Sequence, residues 1–244
     1  MLQPLLQQPE KQAESARANI LGVGVSAINL DLAVAAVAQA LERKAKGYVC
    51  VTGVHGVSEA QQDAAFRAIL NHSFLTTPDG MPTVWMGRWQ GFREMRRVYG
   101  PDLMLRICEF TQARGFSHFL YGGAPGVAET LKSRLEARFP GLSIVGTYTP
   151  PFRPLTGAEE QTLAGRVAEL KPDIFWVGLS THRNRKGSWR STGRNSMRRC
   201  FSVSARLLTF MLAGCGRRLA GCSAAVWSGC FVWAATRAGY GNGI

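Results

Sequence analysis

Carboxylates are absent from the last part of this 244-residue chain, because no Asp or Glu follows Asp173. About a quarter of the residues in ordinary proteins are charged, and roughly half of those are acidic, so about eight acidic residues would be expected there. The segment from His182 onward has 11 Lys and Arg, whereas the first 181 residues carry 18 basic and 16 acidic side chains. The net charge of +13 is therefore concentrated in the C-terminal segment.

Other sequence features that are missing argue against several classes of function. None of the six cysteines forms a CxxC pair and no histidine flanks the four in the C-terminal segment, which argues against a zinc site. The polar N-terminus has no apolar run typical of a secretory signal, so we expect a cytoplasmic protein. Neither a GxGxxG nor a Walker sequence is present, which weakens dehydrogenase and kinase interpretations. The hydrophobic content of 46% is nevertheless sufficient for a large core without disulfides.

Strand and helix patterns alternate through most of the chain. Strands are predicted over residues 20–25, 48–52, 74–77, 117–121, 142–147 and 172–179. Helices are predicted over residues 32–44, 57–70, 101–114, 127–139 and 158–170. This alternation predicts a Rossmann-like α/β fold, with a mostly parallel sheet and helices on both faces.

Several helix ends carry recognisable capping residues. Asn29 can cap the first helix, and Gly115 stands where a helix closed by a left-handed glycine would end. Thr156 and Glu159 have the spacing of a capping box before the helix at 158–170.

The C-terminal segment has neither a helical nor a strand periodicity. Suitable codons for residues 182–194, read from their third base, encode PKQERFMAEHR. Permissive codons continue this frame as AELDAPVLFGVGAAFDFHAG and then QAPRWMQRSGLEWLFRL, with balanced charge, a strand pattern and a helix pattern. We therefore interpret residues 182–244 as a frameshifted, non-native tail, so that the C-terminal part of the fold is aberrant. A genuine basic tail is the alternative.

Three regions follow from these patterns. Residues 1–18 are predicted to be a flexible extension, residues 19–181 an incomplete α/β domain, and residues 182–244 the frameshifted tail.

The tripeptide Pro78-Asp79-Gly80 directly follows a predicted strand. A side chain at the carboxyl edge of a parallel sheet points into the crevice where α/β proteins bind ligands. A carboxylate there can accept the proton of an attacking hydroxyl group. The alternative is an ordinary turn, for which this tripeptide is equally suited.

A glycine-rich segment, Gly122-Gly123-Ala124-Pro125-Gly126, joins a predicted strand to a helix. Glycine lets the backbone approach a ligand closely, and a helix N-terminus offers free N–H groups to a diphosphate. The alternative is a tight strand-to-helix turn without a ligand.

Charged and aromatic residues near the strand ends are further candidates. Arg97 near the sheet edge could hold a phosphate, although a solvated charge is the more common situation. His55 lies just past a strand and either contacts a ligand or bonds within the fold. Trp85, Trp89 and Trp176 are interpreted as core or pocket lining.

Taken in order, these segments resemble one known family. The runs FLTTPDGMPTVWMGR, RVYGPDLM, FLYGGAPGVAETLKSRLEARFPGLSIVGTYTPPF and KPDIFWVGLST are similar to the WecG/TagA/CpsF glycosyltransferases, glycosyltransferase family 26. The resemblance covers about residues 20–181. The alternative frame extends it, because PKQE and the APRWMQRSGLEWLFRL pattern are what the family carries next.

The resemblance implies a chemistry and a set of site residues. It implies inverting transfer of a sugar from a UDP-sugar donor to an undecaprenyl-diphosphate-linked acceptor in surface polysaccharide synthesis, with Asp79 as the base. Donor or substrate binding is expected from these residues: Thr52, His55, Arg97, Asp102, Gly122, Gly123, Gly126 and Gly178. One departure is that Thr52-Gly53-Val54-His55-Gly56 stands where many members carry an asparagine.

The same resemblance sets expectations for partners and location. The nucleotide sugar is a substrate, so no cofactor and no metal are expected, and no nucleic acid is an expected partner. The chain should act at the inner face of the cytoplasmic membrane as a peripheral protein, and an oligomer is left open.

Two alternatives remain. A basic nucleic-acid-binding protein would use the arginines of the tail, although no recognisable module with interleaved aromatics is visible. A membrane anchor at residues 219–236 is uncharged but short, and it is rich in Gly, Ser and Cys.

Overall fold

Helices and strands alternate in the computed structural model as the sequence predicts. The structure describes residues 16–151 and 155–179, together with four short strands after them. The helices of this part are α1 (Leu30–Glu42), α2 (Val54–Gln62), α3 (Ala64–Asn71), α4 (Met81–Trp89), α5 (Gly100–Thr111), α6 (Val127–Arg138) and α7 (Gly157–Leu170). The strands are β1 (Arg17–Ile20), β2 (Val23–Ser26), β3 (Tyr48–Thr52), β4 (Leu75–Pro78), β5 (Ser117–Gly122), β6 (Ser143–Tyr148), β7 (Ile174–Leu179), β8 (His182–Arg183), β9 (Trp189–Arg190), β10 (Thr209–Leu212) and β11 (Cys230–Ala234).

The main sheet consists of two groups of parallel strands. In one group β3 pairs with β4, and in the other β5 lies between β6 and β7. Strand β10 runs parallel to both β3 and β7, so the two groups point in the same direction. The carboxyl ends of β3, β4, β5 and β7 therefore lie along one edge of the sheet, where α/β proteins bind their ligands.

Between β3 and β7 there is room for one strand, and this position separates the two groups of parallel strands. Both β10 and β11 pair with β3 on one side and with β7 on the other. Both use the edge of β7 at Phe175, Trp176 and Val177, opposite the edge that pairs with β5. We call this position the central slot. Both β10 and β11 thus pair along the central slot, which has the width of one strand.

Each face of the sheet has its own apolar core, because successive side chains of a strand point to opposite faces. On one face Val51, Leu120 and Trp176 pack against α1, α5 and α6. On the other face Phe119 and Phe175 stack at 5.0 Å and pack with residues of α2 and α7 and with the β1–β2 hairpin. The predicted α/β architecture with helices on both faces is confirmed.

The predicted N-terminal caps are also confirmed. The Asn29 side chain accepts a hydrogen bond from the Leu32 N–H at 2.9 Å. Thr156 and Glu159 form a reciprocal capping box at the start of α7. The prediction that Gly115 closes α5 was wrong: Gly115 has a φ of 68°, but α5 ends at Thr111 with Gln112 as its C-cap.

Four other local predictions were wrong. The single strand predicted at 20–25 is an antiparallel hairpin, since Leu21 and Gly22 both have positive φ and turn the chain. The helix predicted at 57–70 is two helices, because the Asp63 side chain caps the start of α3. Helix α4 was not predicted, since a PDG turn conceals a helix that starts immediately after it. The tryptophans of α4 are not core residues: Trp85 is 60% exposed and Trp89 is 84% exposed.

The predictions for the two ends of the chain fall largely on residues outside the described part. The predicted extension ends earlier than residue 18, since β1 starts at Arg17, and residues 1–15 lie outside the described part. Most of the tail also lies outside it, including most of the proposed anchor at 219–236. The tail sequence has no strand periodicity, yet β10 and β11, which are short apolar runs in the sequence, pair with β7. Within the described residues no helix is long and apolar enough to cross a bilayer.

Candidate active site

The ends of β3 and β4 form the centre of the site. Thr52 pairs with Pro78, and the Asp79 N–H donates to the Thr52 carbonyl at 3.0 Å. Gly53 and Gly80 come next and lie close together, since a Cβ added at Gly80 would be 3.7 Å from the Gly53 Cα. These two glycines are the N-caps of α2 and α4, and neither helix has a side-chain cap. Two helix N-termini therefore converge beside Asp79, and both favour a negatively charged ligand.

The Asp79 side chain is buried, and its carboxyl group is only partly hydrogen-bonded. Its side chain is 5% exposed, and within the described part of the chain its Oδ1 has no hydrogen-bond partner. Burial raises the pKa of the Asp79 carboxyl from 3.8 to about 6, while the neighbouring Arg97 acts in the opposite direction. A carboxylate oxygen with a free lone pair and such a pKa can accept a proton near neutral pH.

Arg97 fixes the Asp79 loop. Its Nε donates to the Asp79 carbonyl oxygen at 2.7 Å, and its Nη2 lies 3.6 Å from Asp79 Oδ1, an ion pair longer than a hydrogen bond. The guanidinium also stacks on the Tyr99 ring at 4.4 Å. Asp102, in the first turn of α5, lies close enough to raise the pKa of Asp79 slightly. The predicted group of Asp79, Arg97 and Asp102 is therefore assembled in space.

His55 and Thr52 belong to the same part of the edge. His55 occupies the first turn of α2, where its Nε2 lies 3.8 Å from Glu59 Oε1 one turn later. Thr52 is buried at the end of β3, and its carbonyl holds the Asp79 N–H. The departure from the family's asparagine thus lies at the N-terminus of α2, next to Asp79.

The glycine-rich segment lies at the ends of β5 and β7. Gly122 pairs with Gly178, and the Gly123 N–H donates to the Gly178 carbonyl at 2.9 Å. A Cβ at Gly122, whose φ is 122°, would overlap that carbonyl. Gly122 therefore allows two strands to approach each other, which is a structural role.

The remaining glycines of this segment differ in what surrounds them. A Cβ at Gly123 would meet the Val127 side chain at 3.0 Å, so this position faces α6. A Cβ at Gly126, the N-cap of α6 with φ 83°, would enter open space. Of the three loop glycines, only Gly126 could therefore carry a Cβ without meeting another atom within 4 Å. A small cleft under the loop is lined by Gly122 and Gly123, together with Tyr121 and Trp176, and Gly126 is not part of its lining.

The predicted site residues form two groups rather than one. The first is Thr52, His55, Asp79, Arg97 and Asp102; the second is Gly122, Gly123, Gly126 and Gly178. Neighbouring strands are about 4.8 Å apart, and four spacings separate β4 from β5, so Asp79 and the loop glycines lie roughly 19 Å apart along the edge, whereas Thr52 on β3 and Gly178 on β7 are two spacings, roughly 10 Å, apart. A diphosphate therefore cannot contact both Asp79 and the loop glycines.

The sequence reasoning missed the convergence of α2 and α4. The sequence signal for this convergence is the pair of glycines, Gly53 and Gly80, each of which follows a strand and precedes a helix. Because α4 was not predicted from the sequence, the two glycines were not interpreted as a pair. Within the described residues no group of three or more His, Cys, Asp and Glu side chains lies together as a metal site would require.

The buried carboxyl should cost stability at neutral pH. The folded pKa of about 6 exceeds the unfolded value of 3.8, so the stabilisation is present below pH 4 and is lost as the pH rises through 6. We expect Asp79→Asn to raise the free energy of unfolding by on the order of 2 kcal/mol at pH 8 and to change it little at pH 4. Urea denaturation at both pH values measures this.

The exposed carboxylate of Asp31 provides the control, since Asp31→Asn removes the same charge from the surface of α1. Destabilisation by Asp79→Asn at pH 8 would show that the contact with Arg97 outweighs burial.

Comparison with known proteins gives two matches. Over 121 residues the chain is 26% identical to the N-acetylglucosaminyldiphosphoundecaprenol N-acetyl-beta-D-mannosaminyltransferase of Bacillus subtilis (strain 168). This alignment covers 49% of the chain and 45% of that relative, so the chain aligns with less than half the length of the relative. The Glycosyl transferase WecG/TagA/CpsF family matches residues 18–207, beyond the predicted limit of 181. Because this is more than half of its length, the chain belongs to the WecG/TagA/CpsF family of glycosyl transferases.

Proposed function

We propose that the chain transfers a sugar from a UDP-sugar to a hydroxyl group of an undecaprenyl-diphosphate-linked acceptor sugar, with inversion at the anomeric carbon. Family membership supports glycosyl transfer. The name of the Bacillus subtilis relative supports a lipid-diphosphate-linked acceptor and an N-acetylhexosamine as the transferred sugar. The single observation that carries the proposal is the buried, incompletely satisfied carboxylate of Asp79 at the carboxyl edge of the sheet.

The reaction follows from the position of Asp79. The carboxylate accepts the proton of the acceptor hydroxyl while that oxygen forms a bond to the anomeric carbon. On the opposite side of this carbon the bond to the β-phosphate oxygen breaks, and UDP leaves with the electron pair. The proton then passes from Asp79 to solvent. A single displacement of this kind inverts the configuration at the anomeric carbon.

The surroundings of Asp79 suit this role. A base is most effective when its pKa is close to the working pH, and burial brings the pKa of Asp79 to about 6. Arg97 prevents a larger increase and, through its hydrogen bond to the Asp79 carbonyl, keeps the loop in place. The N-termini of α2 and α4 and the Arg97 guanidinium together offer positive charge to the departing diphosphate.

The two groups of site residues suggest how the donor lies. The transferred sugar and the diphosphate belong beside Asp79 and Arg97, where the base and the positive charge are. The nucleoside would then extend across the end of β7 toward Gly126, where space is open. This arrangement assigns Gly126 to the nucleoside end rather than to the diphosphate. It modifies the expectation that the glycine-rich segment binds the diphosphate.

We also propose that residues 19–181 are the glycosyl transferase domain and that residues 182–244 are read out of frame. The central slot supports this, since it needs one strand and the alternative frame supplies one in APVLFGVGAAF. The lack of any carboxylate after Asp173 points the same way. The family match to residue 207 extends into the tail, so the alignment by itself does not mark the boundary at 181.

A peripheral position at the inner face of the membrane is part of the proposal, because the acceptor is attached to a lipid. The alternative of a nucleic-acid-binding protein has no support from the family or from the relative.

Asp79→Asn in a frame-restored protein should lower turnover by about 10²–10⁴-fold, which is the usual contribution of a positioned base. Wild-type turnover should rise with pH through about 6, since the carboxylate form is the active one. UDP release in the presence of acceptor measures both effects, and donor affinity should change little. Asp31→Asn is again the control. Turnover like the wild type in Asp79→Asn would remove this residue from the mechanism.

Gly126→Ala should weaken UDP-sugar binding several-fold, because the added methyl group enters the open space at the start of α6. Gly115→Ala is a matched control: its φ of 68° imposes similar backbone strain, and its methyl group also meets nothing within 4 Å. Both variants should lose about 1 kcal/mol of stability. Calorimetric titration with the donor gives the affinities. Equal affinities in the two variants would place the donor elsewhere.

Restoring the reading frame after Thr181 should increase solubility, protease resistance and transferase activity together. In the given frame the tail arginines have no carboxylate partners nearby in sequence, and unpaired arginine is almost never fully buried. Limited proteolysis should therefore cut the given chain beyond Thr181 and leave the domain intact. A soluble, active chain of the given sequence with a protease-resistant tail would show that the tail is native.

A further inference from the structure

Helix α4 has one buried face and one exposed apolar face. Thr83, Val84 and Gly87 are buried and face the β1–β2 hairpin and Met95. The opposite face carries Met81, Trp85 and Trp89, which are four residues apart and so form one line along the helix, with Pro82 and Met86 beside them. We call these five residues the α4 face.

The exposure of the α4 face is unusual for side chains of this size. Trp89 is 84% exposed and Trp85 is 60% exposed, and the two methionines are about 40% exposed. Single exposed apolar residues are common, but a contiguous patch of large ones marks an interaction surface. The helix is held in a defined orientation, since the Gln90 side chain exchanges two hydrogen bonds with the backbone of Asn19.

Exposed positive charge follows the α4 face in the chain, with Arg96 paired to Glu94 at 3.9 Å. Between Gly80 and Pro101 the chain has four arginines and one acidic residue, Glu94. Arg93 and Arg96 are exposed just after the helix. Tryptophan beside arginine on an amphipathic helix is the composition of segments that lie in the interface of an anionic bilayer. The indole ring suits this region because one part is apolar and its N–H remains hydrated.

The α4 face also lies next to the candidate base. Helix α4 begins two residues after Asp79, and its nine residues extend about 14 Å. Any surface that contacts the α4 face is therefore within about one short helix length of the reacting groups.

We propose that the α4 face is the surface by which the chain rests on an anionic lipid bilayer, with Trp85 and Trp89 at the headgroup level and Arg93 and Arg96 toward the phosphates. This inference rests on the proposed function, because an acceptor linked to a lipid diphosphate is presented at such a surface. A bilayer is favoured over a protein partner by the combination of indole rings, flexible methionines and the exposed arginines that follow the helix. The helix lies in the interface and does not cross the membrane.

The test is vesicle binding by the full chain. Trp85→Ser and Trp89→Ser are combined, and co-sedimentation is measured with phosphatidylcholine vesicles with and without phosphatidylglycerol. Wild type should bind the anionic vesicles, and the double variant should bind them on the order of tenfold less well, since two large apolar side chains are removed. Leu32→Ser is the matched control, because Leu32 is an exposed apolar residue on α1 at 52% exposure. It should bind like the wild type.

The basic tail does not confound this comparison. All three proteins have the same net charge, so the tail contributes equally to each, and raised salt weakens that contribution while leaving the difference caused by tryptophan. Equal vesicle binding by the double variant and the control would overturn the proposal. So would a change of molar mass in solution without a change in vesicle binding, because the α4 face would then contact a second copy.

Donor titration of the frame-restored protein keeps the two proposals separate. If UDP-sugar does not bind but the double variant still loses vesicle binding, the proposed function fails and the membrane surface stands. If the donor binds and vesicle binding is insensitive to the tryptophans, the reverse holds.

Discussion

The fold depends on one constraint in the sheet: interior parallel strands must pair along both edges. β3 and β7 are apolar on both faces, and each is paired on its outer edge with β4 or β5. Their inner edges face the central slot, where unpaired N–H and C=O groups would be buried at considerable cost. Whatever strand occupies the slot aligns the carboxyl ends of the two groups, and the candidate site is built on that alignment.

The burial of the Asp79 carboxylate lowers the free energy of unfolding at neutral pH. Taking the Asp79 carboxylate out of water is unfavourable, and the 3.6 Å ion pair with Arg97 offsets this only in part, since the pKa remains raised. A stronger contact would lower the pKa and weaken the base. A weaker contact would leave the carboxyl neutral at the working pH. The arrangement of Asp79 and Arg97 lies between these limits, as the proposed role of Asp79 as a base would require.

The sequence predicted the sheet better than the site. Apolar periodicity and caps such as Asn29 and Thr156 are local signals, so the strands and most helices were placed within a few residues. The split at Asp63 and the exposure of Trp89 depend on tertiary packing, which a hydrophobic pattern does not contain. The separation of Asp79 from the glycine-rich segment follows from strand order, and no local signal reports it. Their common edge was predictable, but their distance along it was not.

Strand order also explains why the acceptor and the nucleoside need not compete for space. β4 pairs with β3 on the side opposite the central slot, and α4, which follows β4, carries the exposed tryptophans. The glycine-rich segment and Gly178 lie on the opposite side of the slot. If the nucleoside extends toward Gly126, it approaches Asp79 along the edge from the interior of the sheet. An acceptor fixed in a bilayer would approach Asp79 from the α4 side. Under the proposed function Asp79 would then lie where the two paths meet, which is the geometry that direct transfer from donor to acceptor requires.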